Sequence, residues 1–157
     1  MRHFHSPSKG VMSFNDVVEE LLEFIETEPK DTYSIIVGSD SDQGASETTY
    51  ISAIVLYRHG KGGRFFWHRE NKANFKTLRD RIWHETTSST NLAQGLRDEF
   101  QAHGNGFRDV EVHVDIGERG PTRDLIKEIC GYVTGVGFAV HIKPESYAAC
   151  AVADRVC

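Results

Sequence analysis

Three β-branched runs in close succession constrain this chain most. "TYSIIVGSD", "YISAIVLYR" and "GRFFWHR" each read as a strand, and the links between them are too short to hold a helix. The glycines of "HGKGGR" predict a hairpin between the second and third runs. The short polar link "SDQGASETT" suits antiparallel pairing of the first and second. Ahead of these runs, "SFNDVVEELLEFIETEP" offers Ser13 as an N-cap with Asp16 as its capping partner. Val17, Leu21, Phe24 and Ile25 fall on one stripe, so this segment predicts an amphipathic helix that Pro29 ends.

After the strands the periodicity changes to helical, from about Asn74 to Ala102, with Gly104 in "HGNG" placed to cap the C-terminus. "VEVHVD" predicts a fourth strand. "GPTRDLIKEICGYV" predicts a short helix with Pro121 near its first position. "GFAVHI" predicts a fifth strand, and Pro144 opens a last helix, "ESYAACAVADRVC". The expected fold is mixed α/β: a five-stranded mixed sheet, three hairpin-linked antiparallel strands followed by parallel ones, flanked by helices. No linker divides the chain. One domain over residues 1–157 is expected, with residues 1–30 as an N-terminal loop and helix extension.

Composition excludes several classes. No apolar run is long enough to span a bilayer, and "MRHFHSPSKG" has no signal-peptide core, so a cytoplasmic location is expected. Three cysteines (Cys130, Cys150 and Cys157) without CxxC spacing argue against a disulfide framework or a common zinc site. The formal net charge of −5 is not that of a typical nucleic-acid binder, so any such role needs a local patch. Arg64, Arg69, Lys72, Lys76, Arg79 and Arg81 are the candidates, or simply a solvated face.

The carboxylates are less ordinary. At about 100° per residue, Glu85 falls within roughly 20° of the line through Leu78 and Leu96, and so does Ser89. A lone ionised carboxylate buried there would cost several kcal/mol, so it needs a partner. That partner is a buried arginine or lysine (Arg123 or Arg155, for instance), a shared proton, or a metal ion. Asp40 and Asp115 each end an apolar β run, and Asp154 shares the less polar side of the last helix with Tyr147, Cys150 and Ala151. Singly, each has a plainer reading as a turn residue, a cap or a frayed terminus. Together, all-oxygen groups of this kind suit a hard divalent ion, Mg²⁺ or Mn²⁺.

The order of elements, with acids in these places, resembles the ribonuclease H fold. In that fold the first strand carries an Asp, the helix after the hairpins a Glu, the fourth strand an Asp and a late helix another Asp. By motif these fall on Asp40, Glu85, Asp115 and Asp154. The strings "SPSKG", "VGSDSD", "LRDRIWHET", "HVDIG", "TRDLI" and "KPESYAACAVADR" are similar to the YkuK family of ribonuclease H-like bacterial proteins, from about Phe4 to Arg155. Asp42 stands where that pattern has a neutral side chain, and it shares the strand parity of Asp40.

The resemblance implies a nuclease using two divalent ions on RNA or an RNA-containing duplex. Asp40 would bridge both ions, Glu85 and Asp115 would bind on one side and Asp154 on the other. Lys143 and Arg155 are the nearest candidates for phosphate contacts. Ser6, Ser8 and Lys9 of "SPSKG" are either a further contact or a structured loop. "GERG" before "PTRDL" places backbone amides at a helix start, as a phosphate cradle or ordinary capping would. Two rival readings are a non-catalytic module that binds nucleic acid or protein, and a hydrolase of small nucleotides. His113 shares the parity of Asp115, but the eight histidines show no HxxH or HExxH spacing, so His113 reads as structural or surface.

Overall fold

The computed structural model describes residues 3–104 and 110–146. A small hairpin, β1 (Phe4–Ser6) and β2 (Gly10–Met12), precedes helix α1 (Phe14–Thr27). Three long strands follow: β3 (Tyr33–Gln43), β4 (Glu47–Arg58) and β5 (Gly63–Ala73). Then come helix α2 (Leu78–Ala102), strand β6 (Val110–His113), helix α3 (Ile126–Gly135) and strand β7 (Ala139–His141). They form one sheet in the order β2-β1-β5-β4-β3-β6-β7. The expected antiparallel trio is β3, β4 and β5, and β6 pairs parallel with both β3 and β7.

The sheet therefore has seven strands rather than five. The additional pair lies in "FHSPSKGVM", for which a structured loop is one of the two expectations. Ser6 Oγ accepts from the backbone amides of Ser8 and Lys9 at 3.3 and 3.4 Å, and Gly10 takes φ 71°, which closes a tight turn. His5 then pairs with Trp67 and adds the hairpin to the edge of β5. Three-residue strands are too short to show alternation, which is why the sequence does not announce them.

Element ends shift for local reasons. Helix α2 begins at Leu78 rather than near Asn74, because Thr77 is its N-cap and accepts from the Asp80 amide. The residues from Asn74 to Lys76 close the end of β5 instead, where Asn74 bonds Thr48 and Gly44. Gly104 takes φ 71° after α2, as expected. The segment after Pro121 starts as a 3₁₀ turn, Arg123–Leu125, before α3. β3 runs three residues beyond Asp40, and β6 stops two short of Asp115. The last helix, with Tyr147, Cys150, Asp154, Arg155 and Cys157, lies outside the described residues. Cys130 is a free thiol. Among the described residues no helix is long and apolar enough to cross a membrane.

The capping box of α1 is complete: Asp16 N donates to Ser13 Oγ and Ser13 N to Asp16 Oδ2, both at 3.1 Å. Ser13→Ala is expected to cost about 1 kcal/mol. Calorimetry should register this as a Tm fall of about 2–4 °C, and an unchanged Tm would mean that packing alone holds the helix start.

The three helices bury one face of the sheet. Val17, Leu21 and Ile25 of α1, Leu92, Leu96 and Phe100 of α2, and Ile129 and Val133 of α3 pack with Ile35, Val37, Ile54, Leu56, Val110 and Val112. The opposite face carries a small cluster of Ile36, Ala53 and Val55 with Tyr57, Phe65 and Trp67. Among the described residues no helix contributes to that second cluster. Among the described residues, then, the helices cover one face of the sheet, and the other carries this smaller apolar cluster.

Candidate functional site

The middle of α2 presents Glu85, Thr86, Ser89 and Thr90 toward the interior, between Ile82 and Leu92. Such a stretch tolerates burial only if its polar atoms find partners. Thr86 and Thr90 donate to carbonyls four residues back, Ile82 O and Thr86 O, at 2.9 and 3.1 Å. Ser89 Oγ donates to Ser39 Oγ at 2.9 Å, and Ser39 Oγ lies 2.8 Å from Ser52 Oγ. Ser89 is therefore more than a small residue that lets helix and sheet approach, because it joins a buried chain of hydroxyls running into β3 and β4.

Glu85 is 4% exposed. Its Oε2 accepts from Ser41 Oγ on β3 at 2.9 Å, so the carboxyl points at the far end of that strand. Burial pushes its pKa up to about 8, and the charges of Asp40 and Asp115 push in the same direction. The Ser41 hydroxyl and Arg81, one turn earlier, pull it back in part. Arg123, an expected alternative partner, is not among the groups acting on Glu85.

Strand alternation sets the rest of the arrangement. Ser39 and Ser41 face α2, so Asp40 and Asp42 project from the other face of β3. Asp40 is half-buried and its Oδ1 accepts from Ser41 N at 2.9 Å, whereas Asp42 is exposed. Of the two, Asp40 is the one whose charge bears on Glu85. Gly38 of β3 pairs with His113 of β6, so the chain beyond His113 brings Asp115 to the level of Asp40.

Lys143 Nζ stands 3.0 Å from Asp115 Oδ1, an oxygen buried without a directed hydrogen bond, so the contact is ionic. Two backbone bonds hold Lys143 there: Val114 N to His141 O at 2.9 Å, and Lys143 N to Ile116 O at 2.8 Å. Gly117 permits the close approach, since a Cβ on it would meet Lys143 Cβ at 3.0 Å. Lys143 and Arg119 then line a cleft of about 690 Å³ beside Asp115.

Three of the four acids singled out from the sequence, Asp40, Glu85 and Asp115, thus come within electrostatic reach of one another, with Lys143 beside them. Asp154 and Arg155 fall outside the described residues. The structure does not bring Lys9 to the acids: it sits in the β1–β2 turn at the far edge of the sheet, 3.3 Å from Glu20. Four of the six basic candidates are engaged locally, Lys72 with Glu70, Arg79 with Glu128, Arg81 with Gln43 and Arg64 over the Phe24 ring.

Sequence reasoning misses two features. It does not find Ser41 as the donor to Glu85, although the parity of Ser41, opposite to Asp40, is readable. Glu111, His113 and His141 also converge, with one donor atom of each within 4.8 Å of the others, as three groups that could hold a metal ion. Two of them stand two apart on one strand and the third on its neighbour, a spacing that no linear motif reports.

A mixed sheet of this order, with three long antiparallel strands, a crossing helix and parallel strands beyond, defines a class, and the chain belongs to it: it is a member of the ribonuclease H-like family, whose model matches residues 16–157. It is 34% identical to the uncharacterized protein YkuK of Bacillus subtilis (strain 168), over 97% of this chain and 95% of that protein. No solved structure matches the chain.

Proposed function

We propose that this protein is a Mg²⁺- or Mn²⁺-dependent nuclease acting on RNA or RNA-containing nucleic acid. The observation that carries the reading is Glu85: a buried carboxyl whose ionisation is opposed by Asp40 and Asp115. Three acids gathered against their own repulsion, with oxygen donors throughout, fit hard divalent cations. Family membership adds an association with nucleic acid in general.

In this reading Asp40, Glu85 and Asp115 would hold a pair of cations, with Asp154 as the fourth ligand by resemblance. Such ions supply an acidified water and charge compensation at phosphorus and at the departing oxygen. Glu85 would give up its proton to take part, with the Ser41 hydroxyl still donating to its Oε2. Lys143, with its side chain 56% exposed, exchanges Asp115 for a non-bridging phosphate oxygen as the substrate enters the neighbouring cleft. Water adds at phosphorus, the bond to the 3′ oxygen breaks, and 5′-phosphate and 3′-hydroxyl ends result. The test is cleavage of end-labelled RNA, DNA and RNA–DNA hybrid in Mn²⁺ and in Mg²⁺. Cleavage of an RNA-containing strand is expected, and inertness toward every substrate in both metals would overturn the reading.

One observation favours a non-catalytic module that binds nucleic acid or protein. Lys143 already neutralises Asp115, and the basic side chains of β5 and α2 are engaged locally rather than gathered into a patch. Titration calorimetry with Mn²⁺ separates the two readings. The nuclease is expected to take up two ions per chain and to lose at least one in Asp115→Asn, whereas the module binds none through these acids.

A further inference from the structure

We infer that Glu111, His113 and His141 form a second metal site, for one Zn²⁺-like transition-metal dication, separate from the carboxylate set and different from it in chemistry. His113 and His141 are register partners on the parallel strands β6 and β7, with ring centroids 5.2 Å apart. Glu111 lies two residues before His113, hence on the same face of β6. Its Oε1 is 2.7 Å from His141 Nε2, and one donor atom from each residue lies within 4.8 Å of the other two. Donors about 2.0–2.1 Å from a tetrahedral ion stand roughly 3.4 Å apart, so modest side-chain rotations complete the geometry.

The donor set distinguishes this site from the acids. Two imidazoles and one carboxylate suit Zn²⁺ and its neighbours, whereas Mg²⁺ prefers oxygen and retains its waters. The backbone is already set, because the β6–β7 pairing holds two of the three ligands side by side without any ion. His113 is 4% exposed and His141 half-exposed, so the donors line the wall of an opening. That opening is a pocket of about 260 Å³, also walled by Ser34, Tyr57 and His59. With three protein ligands, the fourth position faces this pocket and takes water or another small exchangeable ligand. Ser34 Oγ and His59 Nε2, hydrogen-bonded to each other at 2.7 Å in the pocket wall, supply polar groups around it.

The nearest of the acids, Asp115, follows β6 directly, two residues or roughly 7 Å beyond His113. The experiment must therefore tell the two sites apart. Zn²⁺ is titrated calorimetrically into the metal-stripped protein with millimolar Mg²⁺ present throughout, for wild type, His141→Ala, Glu111→Gln and Asp40→Asn. Wild type is expected to bind one Zn²⁺ per chain. His141→Ala and Glu111→Gln should each weaken it at least about tenfold, and Asp40→Asn should leave it unchanged. His141 is half-exposed, so its replacement should leave the zinc-free Tm near that of wild type. The Tm rise that Zn²⁺ produces in wild type should be absent in His141→Ala. Equal Zn²⁺ affinity in wild type and His141→Ala, loss of binding in Asp40→Asn instead, or no binding in wild type would each overturn the inference.

Discussion

Asp40→Asn and Asp115→Asn each lower metal-dependent cleavage of an RNA-containing substrate by at least about 100-fold, with little change in folding. The magnitude follows from the position of the groups: replacing even a partner of a metal ligand costs 10- to 100-fold as a rule, and loss of a ligand's charge costs more. Asparagine keeps the shape of aspartate, and its amide oxygen can still accept the Ser41 amide that Asp40 accepts at 2.9 Å. Removing one negative charge beside Glu85 also relieves repulsion, so the metal-free Tm of Asp40→Asn should hold or rise. The pattern to look for is therefore an activity collapse in a protein at least as stable as wild type. Lys143→Ala gives the contrast: it removes an exposed amine that meets phosphate without holding a metal, so it should raise KM more than it lowers kcat. If Asp40→Asn and Asp115→Asn both cleave at the wild-type rate, the carboxylates are structural and the nuclease reading falls.

The second large effect is on stability and needs no substrate. In the metal-free protein Glu85 holds its proton up to about pH 8, whereas in the unfolded chain a glutamate releases it at about pH 4.3. Below the lower value both states are protonated and the group makes no difference to the pH slope. Between the two, the folded state binds a proton that the unfolded state does not, so stability falls as pH rises. Each pH unit across that window is worth up to about 1.4 kcal/mol, which sums to several kcal/mol by pH 8. Calorimetry in chelator should show the wild-type Tm dropping between about pH 5 and 8 relative to Glu85→Gln, which has no such proton to lose. Saturating Mn²⁺ should abolish the wild-type decline, because the cation takes over from the proton. Parallel curves for the two proteins in chelator would show that Glu85 ionises at an ordinary pH and is not held against Asp40 and Asp115.

Much of this architecture is legible locally. The strands β3, β4 and β5 announce themselves because β-branched runs between glycine and polar turns have few other stable forms. Helix α1 does so through its Ser13–Asp16 box, which is complete within four residues. Glu85 is legible as an anomaly because helical periodicity alone places it inward, and it is 4% exposed. The edge hairpin β1–β2 is not legible, since β1 joins the sheet by pairing with β5, about sixty residues away. The start of α2 lies later than expected because helical spacing continues smoothly through Asn74–Lys76, while the bonds from Asn74 to Thr48 and Gly44 that keep this segment out of the helix come from β4 and the turn before it.

The histidines make the same point from the opposite side. His113 reads as a lone side chain because linear metal motifs record ligands on one helix or one loop. Its partners here come through the register of two parallel strands, Glu111 along β6 and His141 across from it on β7. A one-residue slip of that register would turn His141 to the helical face and dissolve the cluster.

By itself, then, the sequence determined the kinds of element, their order and the inward side of α2, because hydrophobic period and turn chemistry are properties of neighbouring residues. It also determined that a carboxylate on that side needs company. Which groups keep it company was decided by the tertiary structure. Ser41 at Glu85, Lys143 at Asp115, and His141 at Glu111 and His113 all depend on the pairing and register of strands distant in the chain. Those in turn are set by the burial of one whole sheet face beneath three helices.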